Sequence, residues 1–286
     1  MSVEEEGSTS IPIDGASFWA RIPANAIPSK PHLHETFLSV IEQKQGGKFL
    51  DLGCGDGRLT LELARAFPAY EFLGIDVNSS AIVAARDRNV PDGVKEVSFE
   101  VADIVSAEFP SCCFKVVLLQ LVVSVIGAIE QRRQLLKKIR NLLTDDGVLL
   151  MSASGASEDI NPEYAQLYQQ DEPLTGEVHT YFSRAADGSI LYPTHHFTQE
   201  ELVQFVEEEG FQIARCIRER ESSSRRPDQA AWFFYLIAQK TSSNKRTLVD
   251  DSMSIAAELP EPCIKRARRG ALTPSSDAYA AAVFAG

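Results

Sequence analysis

The amino-acid sequence predicts an α/β fold, with a doubly wound, mostly parallel seven-stranded sheet and helices on both faces. Three observations support this prediction. Short apolar runs alternate with helical periodicity between residues 48 and 153, which is typical of parallel strands joined by helices. Gly53, Gly55 and Gly57 follow the first apolar run, as expected where a strand meets the next helix. After residue 197 the alternation resumes with a helix and two strands.

Composition predicts one large domain rather than several. The chain has 286 residues, of which 44% are hydrophobic, enough for a sizeable core. We expect a flexible N-terminus at residues 1–15, the folded domain at 16–240 and a disordered tail at 241–286, where periodic apolar residues are missing.

The net charge of the chain and its pattern of apolar residues restrict its possible binding partners. The formal net charge of −12 disfavours a broad surface for nucleic acid. The apolar runs are too short to span a bilayer and no signal peptide is recognisable, so we expect a cytoplasmic protein without a membrane segment. The five cysteines lack paired spacing, which favours reduced thiols and no metal site.

The leader segment, residues 16–47, is the first folded element in the predicted order. Its large apolar residues are interleaved with prolines that prevent a long helix before residue 30: Phe18, Trp19, Ile22, Pro23, Ile27, Pro28 and Pro31. A helix is then predicted from about Pro31 to Gln45, and Gly46 and Gly47 end it.

Five strands and three helices are predicted to follow in alternation. The strands are 48–52, 71–76, 97–101, 115–121 and 147–153, and the helices are 57–67, 79–89 and 129–143.

Residues 154–197 interrupt this alternation and are predicted to form a cap insertion over one edge or mouth of the sheet. Asn161 and Pro162 begin a short helix, and residues 177–192 are predicted to form a hairpin turning at 186–188. Thr198 has capping-box spacing for the last helix. The last two strands are predicted at 211–217 and 231–238.

The glycine turn at residues 53–57 raises the question of its ligand. A dinucleotide-binding turn would carry a third glycine where the chain has Arg58. A nicotinamide dehydrogenase is therefore disfavoured. A P-loop is excluded because no Gly-Lys-Ser/Thr follows.

The motif Asp51-Leu-Gly53-Cys54-Gly55-Asp-Gly57 resembles the first motif of the class I S-adenosylmethionine-dependent methyltransferases. Later stretches resemble this family in register: Phe72 to Asp76, Val101 to Ile104, Phe114 to Leu121 and Leu142 to Gly147. The resemblance covers roughly residues 46–153 and implies the Rossmann-like methyltransferase fold with S-adenosyl-L-methionine as cofactor.

The resemblance also implies which residues contact the cofactor. These are Asp51, Gly53, Cys54, Gly55, Gly57, Asp76, Val77, Asp103, Ile104 and Gln120. Backbone N–H groups of the glycine turn are expected to bind the cofactor's carboxylate, and Asp51 its ammonium. Asp76 is expected to accept both ribose hydroxyls, and Asp103 to bind adenine. A packing role stays open for Cys54 and Gly57.

The acceptor is predicted from weaker signals. The resemblance ties an Asn/Asp-Pro-Pro-Tyr/Phe motif after the fourth strand to methylation of adenine or of a glutamine amide nitrogen, and this motif is missing after Gln120. Its absence favours transfer to an oxygen or nitrogen atom of a small molecule by in-line displacement. Protein or RNA methylation and a non-catalytic cofactor-binding scaffold are the alternatives. Oligomeric state is not predicted.

A general base and a nuclear location are further hypotheses. His195 and His196 are the candidate bases, and since neighbours on an extended segment point to opposite sides, at most one is expected to face a ligand. The basic pair 245–246 and the basic cluster 265–269 fit a two-part nuclear import signal or an incidental solvated cluster.

Overall fold

The computed structural model describes residues 15–24, 33–90, 92–223 and 228–241. The predictions for residues 1–14 and for the tail beyond Thr241 lie outside these ranges. Within them the strands are β1 (Gly47–Leu52), β2 (Tyr70–Asp76), β3 (Glu96–Val101), β4 (Phe114–Gln120), β5 (Leu143–Gly155), β6 (Thr180–Arg184), β7 (Ile190–His195), β8 (Phe211–Ser222) and β9 (Ala230–Lys240).

Seven of these strands form one sheet in the order β3-β2-β1-β4-β5-β9-β8. Strands β1 to β5 pair in parallel, whereas β9 runs antiparallel between β5 and β8. The predicted mostly parallel seven-stranded sheet is therefore confirmed. The winding reverses between β1 and β4, which is where open α/β sheets bind ligands beyond the carboxyl ends of their strands.

Helices cover both faces of the sheet. They are α1 (Gly15–Trp19), α2 (Glu35–Lys44), α3 (Arg58–Ala66), α4 (Ser79–Arg86), α5 (Ile129–Leu142), α6 (Pro162–Thr175) and α7 (Gln199–Glu208). Apolar residues of α5 and α7 share one core cluster with β4 and β5, while those of α2 and α3 share another with the opposite side chains of the same strands. The alternation of side chains along each strand produces these two cores.

Helix α2 starts later than the sequence predicted. It begins at Glu35 rather than at about Pro31, because the His34 side chain accepts a hydrogen bond from the backbone N–H of Thr36 and so caps the first turn. The predicted end is confirmed, since Gln45 adopts a left-handed conformation with φ 58°. Residues 25–32 lie outside the described ranges.

The cap insertion consists of α6 and the two-stranded sheet β6–β7. Its predicted turn is confirmed, since Gly188 N–H donates to the carbonyl of Ala185. Inside the cap, Asp171 is fully buried and accepts hydrogen bonds from the guanidinium of Arg184 and from Phe182 N–H. Along the described stretches, no helix is both long and apolar enough to cross a membrane.

Candidate functional site

The glycine turn after β1 is held against the end of β2 by its own backbone. The N–H groups of Gly53 and Cys54 both donate to the carbonyl of Ile75, at 2.7 and 3.0 Å. Gly55 N–H donates to Asp76 Oδ2 at 2.8 Å, and Gly57 N–H donates to the Cys54 carbonyl at 3.2 Å. The sequence predicted that amides of this turn bind a carboxylate. These four amides hydrogen-bond within the turn and to the end of β2, and their binding of the cofactor's carboxylate stays a prediction.

Two glycines of the turn are required by close approach. A Cβ on Gly53 would lie 2.5 Å from Cγ2 of Val122, and one on Gly57 would lie 2.7 Å from the ring of Phe99. Both residues also have a φ of 74°, which favours glycine. The missing side chain of Gly53 therefore leaves room for the loop after β4. The missing side chain of Gly57 leaves room for Phe99 of β3.

Cys54 packs inward from the same turn. Its side chain is 3% exposed and shares a small core cluster with Leu61, Ile82 and Phe99. This geometry supports the packing role that the sequence left open for Cys54. The contact with cofactor implied by the resemblance stays a prediction for this residue.

Asp76 lies at the carboxyl end of β2, half-buried, with its carboxylate oriented by two backbone donors. Oδ2 accepts from Gly55 N–H, and Oδ1 accepts from Asn78 N–H at 2.9 Å. A carboxylate oxygen can accept at least two hydrogen bonds, so both oxygens can also accept a hydroxyl. This arrangement fits a vicinal diol such as that of a ribose.

Asp51 is less accessible than expected. It is fully buried, and its Oδ2 accepts from Thr60 Oγ1 at 2.6 Å, which joins β1 to α3 beneath the turn. A buried carboxylate favours a cation above the turn through the low dielectric of its surroundings. The ammonium-binding role of Asp51 stays a prediction.

Asp103 and Ile104 follow β3 at the same edge. Asp103 Oδ1 accepts from Val105 N–H and Oδ2 accepts from Ser106 Oγ, both at 2.9 Å. Ala102 N–H donates to the Asp76 carbonyl at 3.0 Å, so the two loops are joined. Ile104 is 8% exposed and packs mostly into the core. The adenine contact predicted for these residues stays a prediction, as does that of the half-buried Val77.

The loop after β4 forms the other side of the site. Gln120 is buried at the end of β4, and the next residue, Leu121, adopts a left-handed φ of 59°. Leu121 N–H donates to the carbonyl and to the hydroxyl of Ser152, both at 3.1 Å. This turn directs Val122 across Gly53, a contact that no motif in the sequence indicated.

An N-terminal arm, residues 15–24, lies over the carboxyl edge of the sheet. The Asn78 amide donates to the carbonyls of Trp19 and Ile22, each at 2.8 Å. At the other end of α1, Gly15 packs so closely on the loop after β4 that a Cβ would lie 2.5 Å from the carbonyl oxygen of Val125. The arm therefore bridges the ends of β2 and β4, on either side of the glycine turn.

Three aromatic rings join this arm to the cap. The rings of Phe18 and Trp19 lie 4.6 and 4.8 Å from the ring of Tyr192 on β7, measured between centroids. We call these three residues the aromatic roof. The sequence placed large apolar residues in the leader, but it gave no signal that they meet the cap.

His195 and His196 are both enclosed in the cap. His195 is 2% exposed and hydrogen-bonds Thr180 Oγ1 through Nδ1, at 2.7 Å, and Glu201 Oε1 through Nε2, at 2.9 Å. Burial lowers the pKa of His195, against the opposing effect of Glu201. His196 Nδ1 bonds the Tyr168 hydroxyl at 2.6 Å. The two rings make separate contacts, as expected, and this geometry gives no support to a catalytic role for either.

A separate hollow of about 360 Å³ lies between α5 and α7. It is lined by Ile129, Arg132, Arg133, Phe197, Glu201, Gln204, Phe205 and Glu208. None of these is a predicted cofactor contact. The residues that the structure describes include no cluster of three or more histidine, cysteine or carboxylate side chains suited to a metal ion.

Comparison with known proteins supports the same fold family. A family model described as "Methyltransferase domain" matches residues 43–210. A solved S-adenosylmethionine-dependent methyltransferase from Methanosarcina mazei is 26% identical with a TM-score of 0.65, and the match covers 74% of this chain and 99% of that one.

Two curated relatives are each similar to about three fifths of this chain. Carboxy-S-adenosyl-L-methionine synthase from Wolinella succinogenes is 30% identical over 177 residues, which is 59% of this chain and 70% of the relative. The protein of the same name from Campylobacter hominis is 25% identical over 178 residues, or 61% and 73%.

Proposed function

This chain belongs to the methyltransferase domain family and is an S-adenosylmethionine-dependent methyltransferase, and we propose that its acceptor is an oxygen or nitrogen atom of a small molecule. The observation that carries this proposal is the aromatic roof. The N-terminal arm contacts the loops after β2 and β4 and meets the cap through Phe18, Trp19 and Tyr192, so we infer that an acceptor binds beneath these rings. A small molecule fits such a covered site better than a folded macromolecule.

The described residues fit the cofactor. Asp76 would hold the ribose diol through its two oriented oxygens, and Asp103 would lie against the adenine. The buried charge of Asp51 would favour the ammonium group, with Gln120 at the opposite side of the turn. When bound, S-adenosylmethionine supplies a methyl group on a sulfonium, open to in-line displacement.

We propose that the protein contributes positioning and exclusion of water rather than a dedicated base. The contact of Gly15 with Val125 places the arm against the loop after β4, and we infer that the two together cover the glycine turn. The indole N–H of Trp19 is buried and has no hydrogen-bond partner among the described residues. An oxygen or nitrogen atom of a bound acceptor would satisfy this donor, which otherwise costs free energy.

The net charge of the chain supports the same acceptor class. A chain with a net charge of −12 repels a polyanion such as RNA, unless a local basic patch compensates for this charge. Protein or RNA methylation is the alternative. Incubation with methyl-labelled S-adenosylmethionine and a cell extract, separated afterwards into metabolites, protein and RNA, distinguishes these acceptors. We expect label in the metabolite fraction, and label confined to protein or RNA would contradict the proposal.

The curated relatives favour a second candidate function. Both are named carboxy-S-adenosyl-L-methionine synthase, so this chain would modify the cofactor itself rather than transfer its methyl group. Mass spectrometry of S-adenosylmethionine after incubation with the protein and a metabolite extract tests this candidate. A carboxylated cofactor without labelled acceptor would support it over methyl transfer.

We propose that the protein acts in the cytoplasm, with nuclear import through its basic clusters as the alternative. Those clusters, at 245–246 and 265–269, lie outside the described ranges. Imaging of the tagged full chain, with and without alanine substitutions in both clusters, tests the two locations. Nuclear signal that is lost on substitution would contradict a purely cytoplasmic role.

A further inference from the structure

Asn78 uses every hydrogen-bonding position of its side chain. Its Oδ1 accepts from Ala81 N–H at 2.9 Å and from Ser80 Oγ at 2.7 Å, which caps α4. Its Nδ2 donates to the carbonyls of Trp19 and Ile22. Since an amide offers two acceptor and two donor positions, the side chain is fully satisfied at 1% exposure.

The backbone of the same residue contacts the cofactor site. Asn78 N–H donates to Asp76 Oδ1 and so orients the carboxylate that would hold the ribose. The Asn78 side chain is held in place because it caps α4, and the Asn78 backbone belongs to the turn that starts at Asp76. The position of the side-chain N–H donors of Asn78 therefore depends on the conformation of this turn. One residue therefore connects the ribose site to the N-terminal arm, which is more than 50 residues away in the sequence.

We propose that Asn78 is a positioning residue that couples cofactor binding at Asp76 to docking of the N-terminal arm. Cofactor bound at Asp76 restricts the turn and strengthens the two bonds to the arm. By linkage, the docked arm strengthens cofactor binding by the same factor. The inference rests on the cofactor site of the proposed function and adds an ordering step, in which the cofactor helps to complete the acceptor site.

Fluorescence of Trp19 measures arm docking. The chain contains two tryptophans, and Trp232→Phe removes the other one. In this background, S-adenosylhomocysteine should reduce acrylamide quenching of Trp19. Adding Asn78→Ser keeps a cap for α4 but removes both donors to the arm. The loss of two neutral hydrogen bonds limits the coupling to about 30-fold, and we expect the dissociation constant for S-adenosylhomocysteine to rise by about tenfold.

Ser80→Ala is the matched control. It removes one bond to Asn78 Oδ1 but leaves both bonds to the arm, so quenching and affinity should stay within about twofold of the parent protein. If Asn78→Ser binds S-adenosylhomocysteine as tightly as its parent and shows the same change in quenching, the inference is overturned. If the parent binds no S-adenosylhomocysteine, both the inference and the proposed function are overturned.

A second measurement needs no variant at position 78. Arg21 is exposed within the arm and offers trypsin a cleavage site. Intact-mass analysis of the wild-type chain follows cleavage after Arg21 at saturating and zero S-adenosylhomocysteine. The inference predicts slower cleavage at this site with ligand. Equal rates, with ligand binding confirmed by calorimetry, would contradict it.

Discussion

Asp76→Asn tests the ribose site with a change of one atom. Each carboxylate oxygen already accepts one backbone hydrogen bond, from Gly55 or from Asn78, and each is available to one ribose hydroxyl. Two charge-assisted bonds contribute about 1.5–3 kcal/mol each, whereas the amide keeps one neutral bond of about 1 kcal/mol. The expected loss is about 3 kcal/mol, or about a 100-fold rise in the dissociation constant.

Isothermal titration calorimetry with S-adenosylhomocysteine measures this loss. Glu71→Gln is a matched control, since it changes a carboxylate to an amide on the same strand, where Glu71 pairs with Lys95 near the surface. We expect the control to bind like the wild type. Thermal unfolding without ligand shows that both variants are folded. A folded Asp76→Asn protein whose affinity lies within about twofold of the control would refute the assignment of Asp76.

Three further predictions concern the framework of the site and the cap. Gly53→Ala should lower the free energy of unfolding by about 2–4 kcal/mol in urea denaturation, because its φ is 74° and a Cβ would lie 2.5 Å from Val122. Asp171→Asn should cost about 3 kcal/mol in the same assay, because it leaves the Arg184 guanidinium without its buried counter-charge. The third prediction concerns pH: the pKa of His195 lies below 6.5 in the fold, so the unfolded chain binds the proton first on acidification. Stability should therefore fall as the pH drops below about 6.5, and His195→Gln should remove part of that slope in denaturation series at several pH values.

Each of these predictions has a result that would contradict it. Gly93→Ala is the control for Gly53, since Gly93 has a φ of 78° with open space around its Cβ. Equal losses in the two variants would exclude the contact with Val122 as a cause. An unchanged free energy of unfolding for Asp171→Asn would show that the buried Asp171–Arg184 pair stabilises the fold no more than the asparagine variant does. Parallel pH profiles for wild type and His195→Gln would remove His195 from the acid response.

Local sequence signals predicted the mostly parallel seven-stranded sheet and the positions of its strands along the chain. The glycines at 53, 55 and 57 mark a turn whose backbone conformation needs them, and Asp76 follows the next apolar run at the same edge of the sheet. The capping box at Thr198 was also predictable, because both of its hydrogen bonds lie within four consecutive residues. These features depend on near neighbours in the chain.

Contacts between distant segments were not predictable. Asn78 donates to backbone carbonyls of the arm, and a carbonyl carries no side-chain signature in the sequence. The carbonyl of Ile75, which accepts hydrogen bonds from the N–H groups of Gly53 and Cys54, was likewise not recognisable as a partner in the sequence. His195 was considered as a base because its burial against Thr180 and Glu201 depends on how the cap folds. Tertiary packing determined each of these outcomes.

A crystal structure of the full chain with S-adenosylhomocysteine is the most direct test of the site. We expect ribose hydroxyls on Asp76, adenine beside Asp103 and the sulfur beneath the aromatic roof. Ligand bound instead in the hollow between α5 and α7, or at the glycine turn without contact to Asp76, would contradict this assignment of the site.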